Sequence, residues 1–340
     1  MNQTPLTPMG VGKLLDRSFS IYRQRFGAFF LLALMVFGPL LLLQDLLLMD
    51  FSSMPFLYQD TSGEDFWESL GQRFISSEEN VTQNIALLLV YLFIVFPIIT
   101  LAAYPQLLAS SLILTKAAVE GETTGIKAAL RQSFSRFWPL VGSTVLYILV
   151  IVGIFLAFFV LCGLLFLLFA FSTGESMDTL FSDDSALNPI VVVVFFLVAY
   201  FLFIIGVMLV PGFFMLRWGF YLPLVLLKGE GVGLSKSWNL TKGNFWRLFG
   251  LYFVVMILYS IFSSGIQFIL IGALGASLIS SVLQVLFSCL LMPWMLIVYA
   301  LAYLDLNVRK EGTDLEAMLN QHRPEDTAVA TLDKQGEPHE

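Results

Sequence analysis

GEGVGLSKSWNLTKGNFW, residues 229–246, decides how this chain is read. It separates two long apolar runs, carries Lys236 and Lys242, and ends on Phe245-Trp246. A near copy, GETTGIKAALRQSFSRFW, stands at 121–138, and a fainter one opens the chain at 15–26. Between 121–142 and 229–250 the register needs no gap. Seven of these 22 positions are identical, among them Gly121/Gly229, Gly125/Gly233, Phe137/Phe245 and Trp138/Trp246. The apolar positions also correspond: Leu15 with Ile126 and Leu234, Phe19 with Leu130 and Trp238, Phe26 with Phe137 and Phe245.

In the first copy Leu15, Phe19, Tyr22 and Phe26 share one helical face. Lys13, Arg17, Arg23 and Arg25 surround that face, as in a helix lying in the headgroup layer with aromatics down and basic groups up. Gly121 and Gly229 are expected to end the helix before each later copy, and Thr123 or Thr124 to cap the helix of the second. Phe26, Phe137, Trp138, Trp238, Phe245 and Trp246 are the expected interfacial anchors.

Composition fixes the class around this motif. The 340 residues are 58% hydrophobic and 13% charged, with mean hydropathy +0.83. An ordinary soluble domain is about 25% charged, so this chain cannot cover a water-facing surface. Its solvent is lipid, where backbone groups must be satisfied internally. Cys162 and Cys289 both fall inside apolar runs, so no disulfide framework is indicated. The N-terminal apolar run is too long for a signal peptide and lacks a clean cleavage site.

Apolar runs at 26–49, 85–119, 137–171, 189–227, 245–271 and 277–304 give about six spans, each at or above the ~20 residues a bilayer needs. Pro39 predicts a kink in the first, and Pro97 and Pro105 a kinked second helix. The fourth run is overlong, so it either tilts strongly or bends at Pro211-Gly212. Gly142, Gly153 and Gly163 offer close helix contacts. Residues 50–84 are polar and acidic, with Phe66, Trp67, Leu70 and Phe74 reading as a short surface helix. Lys310-Glu311-Gly312 repeats the motif's helix exit, and residues 320–340 read as a disordered tail.

Seventeen of the 18 Lys and Arg lie in the N-terminal segment, at 116–136, at 217–247 or in the C-terminal tail. The other two connections hold only Arg73 and eleven carboxylates. By the positive-inside rule both termini and all three motif copies are cytoplasmic. The fold class is therefore an all-α polytopic membrane protein: three two-helix repeats of parallel topology, each preceded by a cytoplasmic amphipathic helix. The repeat units are 12–120, 121–228 and 229–319, after a flexible start at 1–11.

Catalytic motifs are absent: no HExxH helix, GxSxG elbow, Walker loop or GxGxxG turn. The only histidines, His322 and His339, stand in the tail, so no catalytic residue, metal ligand or cofactor site is expected in the bundle. Buried ionisable groups are the remaining candidates. Arg217 is the one basic residue deep in an apolar run, and either snorkels to headgroups or pairs with a carboxylate or lipid phosphate. Asp305 is one such partner for it, and Arg309, four residues on, is a simpler partner for Asp305. Gln106, Gln267 and Gln284 read as hydrogen-bonding links between helices.

The segments LLDRSFSIYRQRF, PGFFMLRWGFYLPLVLLKGEGVGLSKSWNLTKGNFWRLFG and YLDLNVRKEGTDLE resemble a family of bacterial integral membrane proteins similar to the membrane domain of glycerophosphoryl diester phosphodiesterases. The resemblance implies a helical module of the cytoplasmic membrane without the catalytic barrel, and carries over no catalytic residue. The expected function is a non-enzymatic scaffold or regulatory partner, in contact with membrane lipids and other membrane proteins but not with nucleic acid. The alternative is a transporter or lipid-handling protein that binds an anionic headgroup or small hydrophobic substrate. A membrane-embedded hydrolase ranks third, for want of acid and base.

Overall fold

The computed structural model describes residues 9–49, 56, 84–173, 189–229, 231–275 and 277–333. The surface helix expected around Phe66 and Trp67, most of the second acidic loop, and residues 334–340 lie outside the described residues. Where described, the chain is helical with no strand. In order the helices are α1 (Val11–Gln24), α2 (Phe26–Val36), α3 (Gly38–Leu48), α4 (Ile85–Glu120), α5 (Ile126–Phe134), α6 (Phe137–Thr173), α7 (Pro189–Trp218), α8 (Tyr221–Lys228), α9 (Leu234–Thr241), α10 (Phe245–Leu274) and α11 (Leu278–Asp333). Five helical stretches are long and apolar enough to cross a membrane, and a sixth is counted if α1 and α2, bent by 82°, form one broken span. This is an all-helical membrane protein.

The chain divides into two compact units, Met1–Phe137 with Trp246–Glu340, and Trp138–Phe245. Each boundary falls between the Phe and the Trp of a motif copy. In the first unit α11 is the centre, packing against α1, α2, α3 and α4. Over its most apolar stretch 56% of residues are buried, against 6% to 11% in the other four spans. Ile297, Val298, Ala300, Leu301 and Ala302 are fully enclosed there. In the second unit α7 packs on α9, and α8 also packs on α9.

Proline explains the breaks, though not always where expected. Pro39 has no N–H and its ring clashes with the carbonyl four residues back. Instead of a kink, the first span separates at Phe37 into two 11-residue helices, with Pro39 in the opening turn of the second, where its missing donor costs nothing. In α4 two π-helical turns, Tyr91–Val95 and Ile98–Ala103, precede the α-helical Tyr104–Glu120. The residue before each proline reaches back five residues, Phe96 N–H to Tyr91 O and Tyr104 N–H to Ile99 O. The wider turn makes room for the ring.

Four other expectations are corrected. The helix continues through Pro211, and the break falls at Gly219-Phe220, where another element satisfies the freed backbone groups. The second amphipathic helix starts at Ile126 with Gly125 as its cap and no side-chain cap bond, one position after Thr124 and two after Thr123. A side chain added at Gly142, Gly153 or Gly163 would touch nothing, whereas one at Gly206 would meet the Phe158 ring at 2.7 Å. The close approach is therefore made by Gly206. Finally, α11 runs unbroken through Gly312 to Asp333, so the helix exit expected at Lys310-Glu311-Gly312 is not made. A helix already nucleated by a span incurs no second nucleation cost, which outweighs the ~1 kcal/mol penalty of an interior glycine.

Candidate functional site

The three amphipathic helices come first, because their docking positions the charged groups. Each is attached through a small side chain. On α1 the line buried in the protein is Leu14, Ser18 and Ile21, beside the Leu15, Phe19, Tyr22, Phe26 face expected to meet the headgroup layer. Phe19 and Phe26 stay 47% and 42% exposed. A helix face that meets another helix closely needs small residues, and the aromatics are too large for it. Trp294 Nε1–H of α11 donates to Ser18 Oγ at 3.0 Å, Phe19 stacks on Trp294, and Tyr22 O–H donates to Leu290 O at 2.5 Å. Burial there pushes the Tyr22 hydroxyl up to about 12, so it remains a donor at neutral pH.

On α5 the buried residues are Ala129 and Ser133. Ser133 Oγ–H donates to Gln106 Oε1 of α4 at 2.8 Å, and lies 2.9 Å from Ser110 Oγ. Gln106 is thus a link between helices, as expected, though its buried Nε2 has no partner. On α9 the buried residues are Ser237, Leu240 and Thr241. Ser237 Oγ–H donates to Arg217 O at 2.9 Å and its oxygen accepts Phe220 N–H at 3.1 Å. One hydroxyl therefore holds a carbonyl and an N–H at the break in α7, and Thr241 Oγ1–H adds a second donor to Arg217 O at 3.3 Å. Ser18, Ala129 and Ser237 occupy the same place in the three motif copies, and all are 0% exposed.

Among the described residues Asp305 is the one buried charge, its side chain 0% exposed. Oδ1 accepts Met9 N–H at 2.7 Å. Oδ2 is held by the Arg247 guanidinium and by Arg309 Nε at 3.0 Å. Arg247 Nη1 and Arg309 Nη2 both donate to Met9 O at 2.9 Å. The expected Arg309 partner is present, and Arg247, from the motif's aromatic exit, is a second one that spacing within a helix does not reveal. Together they lash Met9, two residues before α1, to the start of α10 and to α11.

Arg217 has a different environment, in the second unit. Its guanidinium lies 4.7 Å from the Trp238 ring centroid and 5.4 Å from that of Phe213, and Nη1 approaches Trp238 O at 3.5 Å. Trp238 also packs against Trp218 and Phe214, and Phe213 against Phe245. Cation–π contact contributes about 0.5–2 kcal/mol, which offsets part of the charge's cost at an apolar site. Nε is buried with no acceptor. Of the expected anchors, Trp138 and Trp246 stand 78% and 79% exposed, Phe26 and Phe137 ring-stack with Phe30 and Phe134, and Trp238 and Phe245 belong to the Arg217 cluster. A cavity of 670 Å³ lies between α6 and α7, lined by Phe158, Phe159, Cys162, Phe196, Tyr200 and Phe203 among others.

The helices and these two polar centres define a polytopic helical membrane protein. Within that class, residues 66–306, more than two thirds of the chain, match the model of a family described as Domain of unknown function (DUF7847), and the chain belongs to that family. The match takes in Arg217 and Asp305 and leaves α1 outside. No curated protein and no solved structure matches the chain.

Proposed function

We propose that the protein is a non-enzymatic module of the bacterial cytoplasmic membrane that offers its amphipathic helices to a protein partner, as scaffold or regulator. The observation that carries this reading is the way α1, α5 and α9 are docked. Each buries a small residue against a span, and each leaves basic side chains exposed: Lys13 and Arg23, Lys127 and Arg131, Lys236 and Lys242. The segregation of 17 of 18 basic residues supports a cytoplasmic side for these three faces and both termini. The common place of Ser18, Ala129 and Ser237 supports three repeats of one design; the resemblance to the phosphodiesterase membrane domain rests only on the three sequence segments quoted for it. Purification in mild detergent should retain a stoichiometric protein partner. Loss of that partner on reversing the charge of Lys127, Arg131, Lys236 and Lys242 supports the reading, and a preparation with no partner overturns it.

The cavity between α6 and α7 favours a second reading, a lipid-handling protein in which Arg217 meets an anionic headgroup. For that reading Arg217→Ala should lower lipid binding or transport in proteoliposomes, and unchanged values would remove Arg217 from it.

A further inference from the structure

We propose that the guanidinium groups gathered around Met9 form a binding site for a phosphate anion, carried by an anionic lipid headgroup or free in solution. Three arginines from three elements converge on this one residue. Arg247 and Arg309 donate to its carbonyl, and Arg17 Nη1 lies 3.7 Å from its Sδ. Among the described residues one carboxylate, Asp305, answers them, and it is shared by Arg247 and Arg309. The cluster therefore holds an excess of two positive charges. Asp16 and Glu311, the exposed acids nearest in sequence, form no ion pair with any of the three.

Two details point to a missing anion rather than to a finished structural lock. Arg17 is a full charge set against a thioether, which is a weak acceptor. Arg247 Nε is buried without an acceptor. Holding Met9 and Asp305 requires one cation to balance the carboxylate, and three are supplied. Like charges drawn into a partly buried site repel, and an anion bridging them offsets that cost. The Arg17 guanidinium and Arg247 Nε–H, which Met9 O and Asp305 leave without an oxygen acceptor, are the donors for phosphate oxygens, in charge-assisted hydrogen bonds.

Location indicates the source. Arg247 is the third residue of α10, and Arg309 lies in the last turn of the apolar stretch ending at Gly312. Both positions are at headgroup level if the cytoplasmic orientation proposed above holds, and on that orientation the lipid assignment rests.

The test uses the full chain in detergent, titrated with short-chain phosphatidylglycerol, with short-chain phosphatidylcholine and with inorganic phosphate, and read by thermal unfolding and by native mass spectrometry. Wild-type protein should gain melting temperature with phosphatidylglycerol and not with phosphatidylcholine. R17Q should bind roughly tenfold more weakly, the effect of one charge-assisted contact, while its melting temperature without ligand should not fall, since one repelling charge is removed. R17K, which keeps the charge and loses the fork, should fall between them, and K116Q, a substitution at an exposed i,i+4 pair, should bind as wild type. A response to phosphate as well as to phosphatidylglycerol supports an anion site open to both sources. Equal binding by R17Q and wild type, or no response to either anion, overturns the proposal. Because no protein partner enters the measurement, its outcome is separate from that of the pulldown.

Discussion

Ser237 shows how much one hydroxyl can settle. An interrupted helix inside an apolar environment leaves a carbonyl and an N–H that neither water nor lipid can satisfy. Ser237 takes both, through Arg217 O and Phe220 N–H. Thr241 Oγ1–H also reaches Arg217 O, at 3.3 Å, so Ser237→Ala withdraws chiefly the acceptor of Phe220 N–H and should destabilise the protein by about 1–3 kcal/mol, with a lower melting temperature in detergent as the readout. A neighbouring glycine makes a sharper contrast. Gly121 and Gly233 both hold positive φ, at 76° and 72°, where an L-residue costs roughly 1–2 kcal/mol. A Cβ at Gly121 meets nothing, while one at Gly233 lies 2.7 Å from Tyr221 O. Gly121→Ala should lose stability by that backbone term alone. Gly233→Ala should lose clearly more, and equal losses would show that the contact relaxes freely.

At the scale of elements, punctuation in the sequence was readable where it acts locally. Gly121 and Gly229 close their helices in the left-handed conformation, as glycine before each motif copy predicts. Pro97 and Pro105 mark α4 as irregular, and the two π turns are the form this takes. What could not be read was set by partners distant in sequence. Nothing near Gly219 says that the fourth span breaks there rather than at Pro211, because the compensating serine sits on α9. Nothing in α1 says that Ser18 rather than Phe19 faces the protein, because Trp294 decides it. The same holds for the candidate site: Arg309 was legible as an i,i+4 neighbour of Asp305, whereas Arg247 and Met9 were not. The local case gives a test. Pro97→Ala restores an N–H one residue beyond Phe96, so the π turn at Tyr91–Val95 should convert to α. Hydrogen exchange across 91–99 should slow, and unchanged exchange would mean that packing, not proline, sets the turn.

For the molecule as a whole, the Asp305 centre matters because it joins positions 296 residues apart. Lipid offers no hydrophobic drive to hold one helix against another, so polar contacts take a larger share in closing the first unit. A buried ion pair is often no more stable than a packed apolar replacement, but removing one partner is expensive. Asp305→Asn keeps the shape and an oxygen for Met9 N–H, and withdraws the charge that faces Arg247 and Arg309. The loss should be about 3–5 kcal/mol, seen as a lower melting temperature and as faster proteolysis before α1. If charge imbalance is the cause, Asp305→Asn combined with Arg309→Gln should recover part of the loss, since one fewer cation is left unbalanced. If the carboxylate acts only as an acceptor for Met9, the double variant should be no better than the single one. Added anionic lipid separates these cases again: it should protect the Asp305→Asn protein more than the wild type, because the substitution raises the positive excess around Met9 from two charges to three.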